Sequence, residues 1–552
     1  MPVDEQNIKK YCLDNAVKYK GKVDEGSVLG KIIIDNPEVK ANIKGLKKQV
    51  IKIASKVNKM KLEDQKDELE RLGGGIKRVQ EEKEMIPLLK VKHDFVVRFA
   101  PNPNGPLHLG HARQAVVNWI YRNVYKGDYI LRYDDTDPKN KIPTKEAYKQ
   151  ILDDLDWFGI KPDKISYSSK RLNTYYRYFE KLLKKGKGYV CTCDREEFKK
   201  LRENKKPCPC RELSIKTQLT RFNKMLTHKF KEGEAVARVK TDLDDKNVSV
   251  RDWPAFRIID KPKHPLVKGK YVWPLLDFAS AIDDHLLGVT HVIRGVDLLL
   301  SRNKQLYLYS YFRWKYPIIK LQGKFDVADS VLSKTKIKEG IEEGTYTGWD
   351  DVRLFTVQSL KRRGFFREAI INMMKEIGPK IRDITISRDY LASFNRKLLD
   401  PLANRYFFVK DPIPIKIINP PADKTAKLPL HPDYPDRGER VIPIGKTFFI
   451  SKEDFDMYKG KVIRLIGLYN IRLDRNSQFL GKQLLPYPKI QWVSQNNASM
   501  KISMPDNTIS RGCVEQTITK LKPKERVQLP RVGFVYLDVV RKDYVYSYYI
   551  HD

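Results

Sequence analysis

The sequence predicts a multidomain α/β fold. A mostly parallel sheet is split by an insertion, preceded by a helical N-terminal extension and followed by C-terminal antiparallel β-barrels. Three observations lead there. Strand and helix signals alternate over residues 94–165 and return after residue 270, the pattern of a layered sheet covered by helices. Residues 1–93 are rich in Lys and Glu with spaced Ile, Leu and Val, a helical texture. From Pro401 onward short β-rich runs such as Tyr406–Val409 and Lys446–Ile450 alternate with prolines and Asp-rich turns.

Each segment has its own reason. Leu46–Leu72 carries apolar residues at helical spacing and meets Gly73-Gly74-Gly75, a helix stop. Val97-Arg98-Phe99 reads as a short buried strand, Pro101–Pro106 as a tight loop, and Ala115, Val116, Trp119 and Ile120 as one face of the following helix. Residues 166–270 hold a cysteine cluster and the strand Val236–Lys240, and read as an insertion between sheet halves. Residues 271–340 return to the sheet and a Ser333-Lys334 loop. Residues 341–400 read as helical, and 401–552 as barrels.

Charge and hydropathy narrow the function classes. The 552-residue chain carries a formal net charge of +37, which suits a polyanionic partner because neutralised phosphates supply affinity and association rate. The hydrophobic fraction of 41% is that of a water-soluble protein. No apolar run approaches the roughly 18–20 residues that span a bilayer. Met1–Gln6 has no signal-peptide core, so a cytoplasmic protein without membrane contact is expected.

Cys191-x-Cys193 and Cys208-x-Cys210 form two close pairs. In a reducing compartment such pairs suit a tetrahedral structural Zn²⁺ site better than disulfides, although CxC is less usual than CxxC. Cys12 and Cys513 are isolated.

The densest chemical signal is His108-Leu109-Gly110-His111. It places two imidazoles where a strand, a Pro/Asn/Gly loop and a helix N-terminus meet. Amide N–H groups and the helix dipole favour an anion there, and Gly110 removes a Cβ that would obstruct close approach. There is no GxxxxGK or GxGxxG, so any nucleotide must use a cradle of another kind.

Arg98–His111 resembles the HIGH signature of class I aminoacyl-tRNA synthetases, in the form used by the glutamyl/glutaminyl group. Val331-Leu332-Ser333-Lys334-Thr335 resembles their KMSKS signature without its first lysine. Leu131–Asp137 looks like their LRxEDTD strand end, with Asp134 where glutamate is common. Asp277–Gly295 is close to the glutamyl members, and His431–Arg440 looks like the first barrel of the archaeal and eukaryotic branch.

The resemblance implies a Rossmann-like class I synthetase catalytic domain with an inserted acceptor-end-binding domain, a helical connecting domain and anticodon-binding β-barrels. It implies ATP with Mg²⁺, L-glutamate and tRNA(Glu) as reactants, with tRNA(Gln) left open as a second acceptor, and a monomer. By position, Pro101, His108, Gly110, His111, Ser333 and Lys334 would cradle ATP. His108, His111, Ser333 and Lys334 would stabilise charge in adenylate formation. Arg98, Asp134, Leu276 and Arg294 would contact the amino acid, Arg294 at its γ-carboxylate, although Leu276 stands where tyrosine is usual. Some glutamyl members carry zinc at a related place in the insertion. The other readings are a glutaminyl enzyme, a nucleotidylyltransferase with the same HxGH turn, and an inactive tRNA-binding scaffold.

Overall fold

The computed structural model describes residues 4–18, 21–36, 39, 42–72, 91 and 94–552. The chain divides into two compact units, residues 1–83 and 84–552.

The first unit contains helices α1 (Glu5–Lys18), α2 (Glu25–Asp35), α3 (Ile43–Val57) and α4 (Leu62–Arg71). Their apolar stripes meet in a core that includes Leu13, Ile32, Val50 and Val57. The buried Gln65 amide stitches the turns together, donating to Gly21 O (3.0 Å), Val57 O (2.9 Å) and Met60 O (3.3 Å). The helical pattern from Leu46 is broken between α3 and α4 by a turn. The expected Gly73–Gly75 stop lies outside the described residues.

The second unit is organised on a parallel sheet. Strand β1 (Val96–Phe99) leads through α5 (Leu109–Val124) to β2 (Asp128–Tyr133), and α6 (Lys145–Trp157) leads to β3 (Lys164–Tyr167). These strands pair in parallel in the order β1-β2-β3. The sheet thus continues two residues beyond the expected boundary at 165. Next come α7 (Leu172–Lys184), β4 (Gly188–Cys191), α8 (Arg195–Glu203), α9 (Ile215–Leu226), β5 (Val236–Val239), β6 (Pro254–Ile258) and β7 (Val272–Pro274). Strands β4 to β7 form a separate antiparallel sheet in chain order. It therefore extends to Pro274, past the expected end of the insertion at 270, because β7 pairs with β6 rather than with the parallel strands.

The chain then returns through α10 (Leu276–Leu286), β8 (His291–Gly295), α11 (Leu299–Phe312) and β9 (Ile318–Gln322). Thr290 docks this half onto the first. Its N donates to Val96 O (3.0 Å), and its Oγ1 accepts from Val96 N (2.9 Å). The three-stranded sheet β1-β2-β3 and the two-stranded sheet β8-β9 thus meet at β1 and β8 through Thr290 and Val96, and the direction of progression reverses there. At such a switch point the helices diverge on opposite faces and leave a crevice at the strand carboxyl ends. Strand β10 (Phe325–Val327), α12 (Lys334–Glu342), α13 (Val357–Arg362), α14 (Arg367–Ile377), β11 (Ile384–Ile386) and α15 (Arg388–Leu399) follow. The region expected to be helical thus contains one strand, β11, which pairs in parallel with β10.

Beyond Ala403 two seven-stranded sheets are nested. Strands between Pro412 and Ser494, apart from the hairpin Thr425–Pro429 with Glu439–Pro443, make one sheet. Asn404–Lys410 joins strands after Asn497 to make the other. Most pairings are antiparallel, but four are parallel, since the nested connection brings distant segments side by side. A buried ion pair ties the separate hairpin, Thr425–Pro429 with Glu439–Pro443, to the second of these sheets. Glu515, 1% exposed, accepts from Arg440 Nε at 2.9 Å and from Phe407 N at 2.5 Å. Arg440→Met should cost about 3–5 kcal/mol in unfolding free energy because it strands Glu515 as a buried carboxylate. Denaturant unfolding checks this, and Arg440→Met combined with Glu515→Met should recover most of the loss.

Candidate active site

The crevice is lined from loops and helix ends at the strand carboxyl termini, and its two ends differ in chemistry. At one end stands the HxGH turn. His108 caps α5, and its Nδ1 accepts from Gly110 N at 3.1 Å. A backbone N–H can only donate, so the His108 proton resides on Nε2. The His108 and His111 rings lie 3.8 Å apart at an interplanar angle of 36°. Burial, with the Lys334 ammonium alongside, pushes the His108 pKa down to about 3. Burial, with His108, Lys334 and Lys141 nearby, holds His111 well below the usual histidine range, and among the described residues its Nδ1 has no hydrogen-bond partner. Both rings are therefore neutral at physiological pH.

The expected roles of the turn's backbone change in detail. A Cβ on Gly110 would lie 3.0 Å from His108 Cε1, so this glycine makes room for the imidazole. Leu109 N donates to Phe355 O (2.9 Å) and Gly110 N to His108, which occupies two of the helix-terminal donors read as an anion cradle. The rings, more than these amides, are left to meet a ligand.

Lys334 reaches this turn from more than two hundred residues away. It begins α12, which is capped by Ser333 Oγ accepting from Lys336 N at 3.5 Å. The Lys334 ammonium donates to Gly105 O (2.7 Å) and Asn102 O (3.2 Å), so it sits inside the loop between β1 and α5. Pro101 in that loop accepts from Asp134 N at 3.1 Å. Gly105 has φ +152°, and a Cβ there would come within 2.8 Å of the Trp349 ring. Asp154 on α6 holds the loop's far end by accepting from Leu107 N at 2.7 Å. Burial lowers the Lys334 pKa to about 7 against the pull of Asp154, and burial raises Asp154 to about 7. Nothing in the sequence singled out Asp154, which lies among ordinary acidic helix residues.

At the other end is a cluster of buried guanidiniums. Arg98 on β1 donates to Asp284 Oδ1 at 3.3 Å. Arg132 on β2, fully buried, donates to the same oxygen at 2.6 Å and to Asp134 Oδ1 at 2.7 Å. Burial disfavours the Asp284 charge, but Arg98, Arg132 and Arg294 outweigh it and hold its pKa below the carboxylate range. Burial raises that of Asp134 against the opposing Arg132. Arg294 on β8 is 3% exposed. Among the described residues its one hydrogen bond runs to the neutral Gln305 Oε1 (3.4 Å), and its Nε has none. Arg294 makes no ion pair among the described residues. Leu276 is placed elsewhere in character. It opens α10, is 44% exposed, and offers its carbonyl to Ser280 Oγ (2.6 Å). Sequence reasoning missed Arg132, Asp284 and Gln305. The Asp283-Asp284 doublet directly after the largely apolar run Phe278–Ile282 was the available signal.

The four clustered cysteines come together in the insertion. Cys193 Sγ lies 3.2 Å from Cys208 and 3.8 Å from Cys210, Cys191 Sγ lies 3.5 Å from Cys208, and all four sulfurs fall within 4.8 Å of one another. Four thiolates around a tetrahedral Zn²⁺ at about 2.3 Å would stand about 3.8 Å apart. Gln218 braces the frame, donating to Cys210 O (2.6 Å) and accepting from Val190 N (2.8 Å).

Comparison with known proteins agrees with this geometry. Residues 94–401 match the family described as tRNA synthetases class I (E and Q), catalytic domain, and residues 403–482 match its anti-codon binding domain. The chain is 44% identical to a glutamate–tRNA ligase of Pyrococcus furiosus over 98% of each chain. It is 43% identical to the ligase of the same name from Pyrococcus abyssi, again over 98% of each, and to that of Thermococcus onnurineus over 99% of each. With both signature turns meeting in one crevice and these matches spanning its length, the chain belongs to the class I tRNA synthetases of the E and Q group.

Proposed function

We propose that the protein catalyses ATP-dependent ligation of L-glutamate to the 3′ end of tRNA(Glu). The observation that carries this is the charge of the amino-acid end. Among the described residues Arg98, Arg132 and Arg294 face Asp134 and Asp284 there, the adjacent Asp283 is matched by Arg171, and Arg294 has a neutral partner. The cluster is one positive charge in excess. Free glutamate carries one net negative charge and glutamine none, so glutamate completes the balance. Relatives that bear the name glutamate–tRNA ligase over nearly the whole chain support the same reading.

In the reaction, a glutamate α-carboxylate oxygen attacks the ATP α-phosphorus, and the bond to pyrophosphate breaks. A ribose hydroxyl of the tRNA terminal adenosine then attacks the acyl carbon, and AMP leaves. Arg98 and Asp134 hold the amino acid's α-substituents, and Arg294 takes the γ-carboxylate. His108, through Nε2–H, and His111 donate as neutral imidazoles to phosphate oxygens. Lys334 leaves the carbonyls of Asn102 and Gly105 to meet the departing pyrophosphate, and Ser333 anchors the helix that carries it. Mg²⁺ accompanies ATP and neutralises part of its charge. The barrels of residues 401–552 read the anticodon, the insertion of residues 166–270 receives the acceptor end, and residues 341–400 lie along the stem. The four-cysteine cluster holds a structural Zn²⁺ that clips α8 and the loop after it onto β4.

Lys334→Ala is expected to lower kcat of pyrophosphate exchange far more than it raises KM for ATP, since the charge is used mainly in the transition state. The depressed pKa adds a second readout. At pH 8 the lysine is mostly neutral, ATP phosphates restore its proton, and calorimetry in buffers of different ionisation enthalpy should record proton uptake. The uptake should vanish near pH 6 and in Lys334→Ala.

Elemental analysis of the purified protein should find close to one zinc per chain. Chelation should open residues 190–212 to proteolysis, because the thiolate cage supplies local folding free energy. Metal-free protein with an intact insertion would end that assignment.

Arg294→Gln should lower kcat/KM for glutamate by about 30-fold to several thousand-fold, equivalent to about 2–5 kcal/mol. Discrimination against glutamine should shrink. Equal losses for both amino acids with a lowered melting temperature would instead identify a structural arginine and favour a glutaminyl activity. Charging purified tRNA(Glu) and tRNA(Gln) tests the substrate directly.

A further inference from the structure

Arg294 differs from the other guanidiniums of the cluster in what holds it. Arg98 and Arg132 are gripped by carboxylates, whereas Arg294 Nη1 meets Gln305 Oε1 on α11. Gln305 is 1% exposed, and its amide is fully used. Nε2 donates to Ser280 Oγ at 2.7 Å and to Asp277 O at 3.3 Å, while Oε1 accepts from Tyr316 OH at 2.8 Å. An arginine can only donate, so the amide oxygen must face Arg294. Ser280, whose own hydroxyl donates to Leu276 O, holds the other end of the amide in place.

Burying a guanidinium beside a neutral group is costly when a carboxylate would do, so this choice of partner calls for a reason. We propose that Gln305 is a positioning residue that sets amino-acid specificity: it orients Arg294 without neutralising it. The arginine keeps its full charge for a carboxylate brought by the substrate. A carboxylate at residue 305 would have the same reach, would pair with Arg294, and would cancel the positive excess of the cluster. The site would then have no electrostatic preference for an acidic side chain over its amide. This inference rests on the proposed glutamate activity and extends it to a residue outside both signature motifs.

Gln305→Glu tests it in the full-length protein, by tRNA-dependent pyrophosphate exchange with glutamate and with glutamine. The kcat/KM for glutamate should fall about 30-fold or more, chiefly through KM, while that for glutamine falls much less. In an Arg294→Gln background the same substitution should leave the ratio nearly unchanged, since its effect passes through Arg294. Gln305→Met, of similar volume and uncharged, should keep the preference for glutamate but raise KM for glutamate and not for ATP, because the guanidinium loses its orienting acceptor. An unchanged glutamate-to-glutamine ratio in Gln305→Glu, or an unchanged KM for glutamate in Gln305→Met, overturns the assignment. So do parallel losses for both amino acids accompanied by a lower melting temperature. A wild-type protein that activates glutamine in preference to glutamate would instead defeat the proposed activity itself, so the two failures are separable.

Discussion

Three buried guanidiniums approach one another at the carboxyl ends of β1, β2 and β8, and they can do so only because Asp284 stands between them. One oxygen, Oδ1, receives both Arg98 and Arg132. Without it, Arg98 and Arg132 would be withdrawn from water with no shared counter-charge and would repel at short range, a heavy cost in a protein interior. Asp284 lies on α10, the first helix after the insertion. The place where the chain returns to the parallel sheet is thus also the place where the charges of that sheet are reconciled.

Its neighbour completes the arrangement. Asp283 on the same helix is fully buried and accepts from Arg171 Nε at 2.6 Å, Tyr175 OH at 2.5 Å and Ser168 Oγ at 3.2 Å. These donors lie where β3 runs into α7, at the departure of the insertion. Two consecutive acids therefore divide the work, one binding the outgoing chain and the other the strand ends. The inserted sheet can then grow between the two halves without loosening the crevice they share.

The crevice also separates two kinds of positive charge. At the amino-acid end the guanidiniums are permanent, fixed and fan-shaped, suited to carboxylates. At the HxGH end the groups are weakly basic. Both imidazoles are neutral, and burial brings the Lys334 ammonium to the edge of titration. Donors of this kind respond to a developing phosphate charge without holding a strong field in its absence, which favours the transition state over the resting site.

Much of this was legible in the residue string. The strand at Val97–Phe99, the helix after the HxGH turn, the barrel texture after Pro401 and the paired cysteines follow from local pattern: apolar period, loop residues and ligand spacing, each contained in a short window. The positions of Arg98, Asp134, Arg294 and Lys334 were legible through motif resemblance. Local pattern could not supply the partners. That Lys334 docks on the carbonyls of Asn102 and Gly105 and that Asp284 bridges Arg98 and Arg132 are pairings across the insertion, and that Arg294 leans on an uncharged Gln305 depends on how the next helix packs back on its strand. The same holds beyond Ala403, where Glu515 of one sheet meets Arg440 of a separate hairpin seventy-five residues away. Such pairings depend on which side chains are desolvated together. Desolvation is a property of the packed chain, so the residue types were set by the sequence while their charges and partners were decided by the tertiary fold.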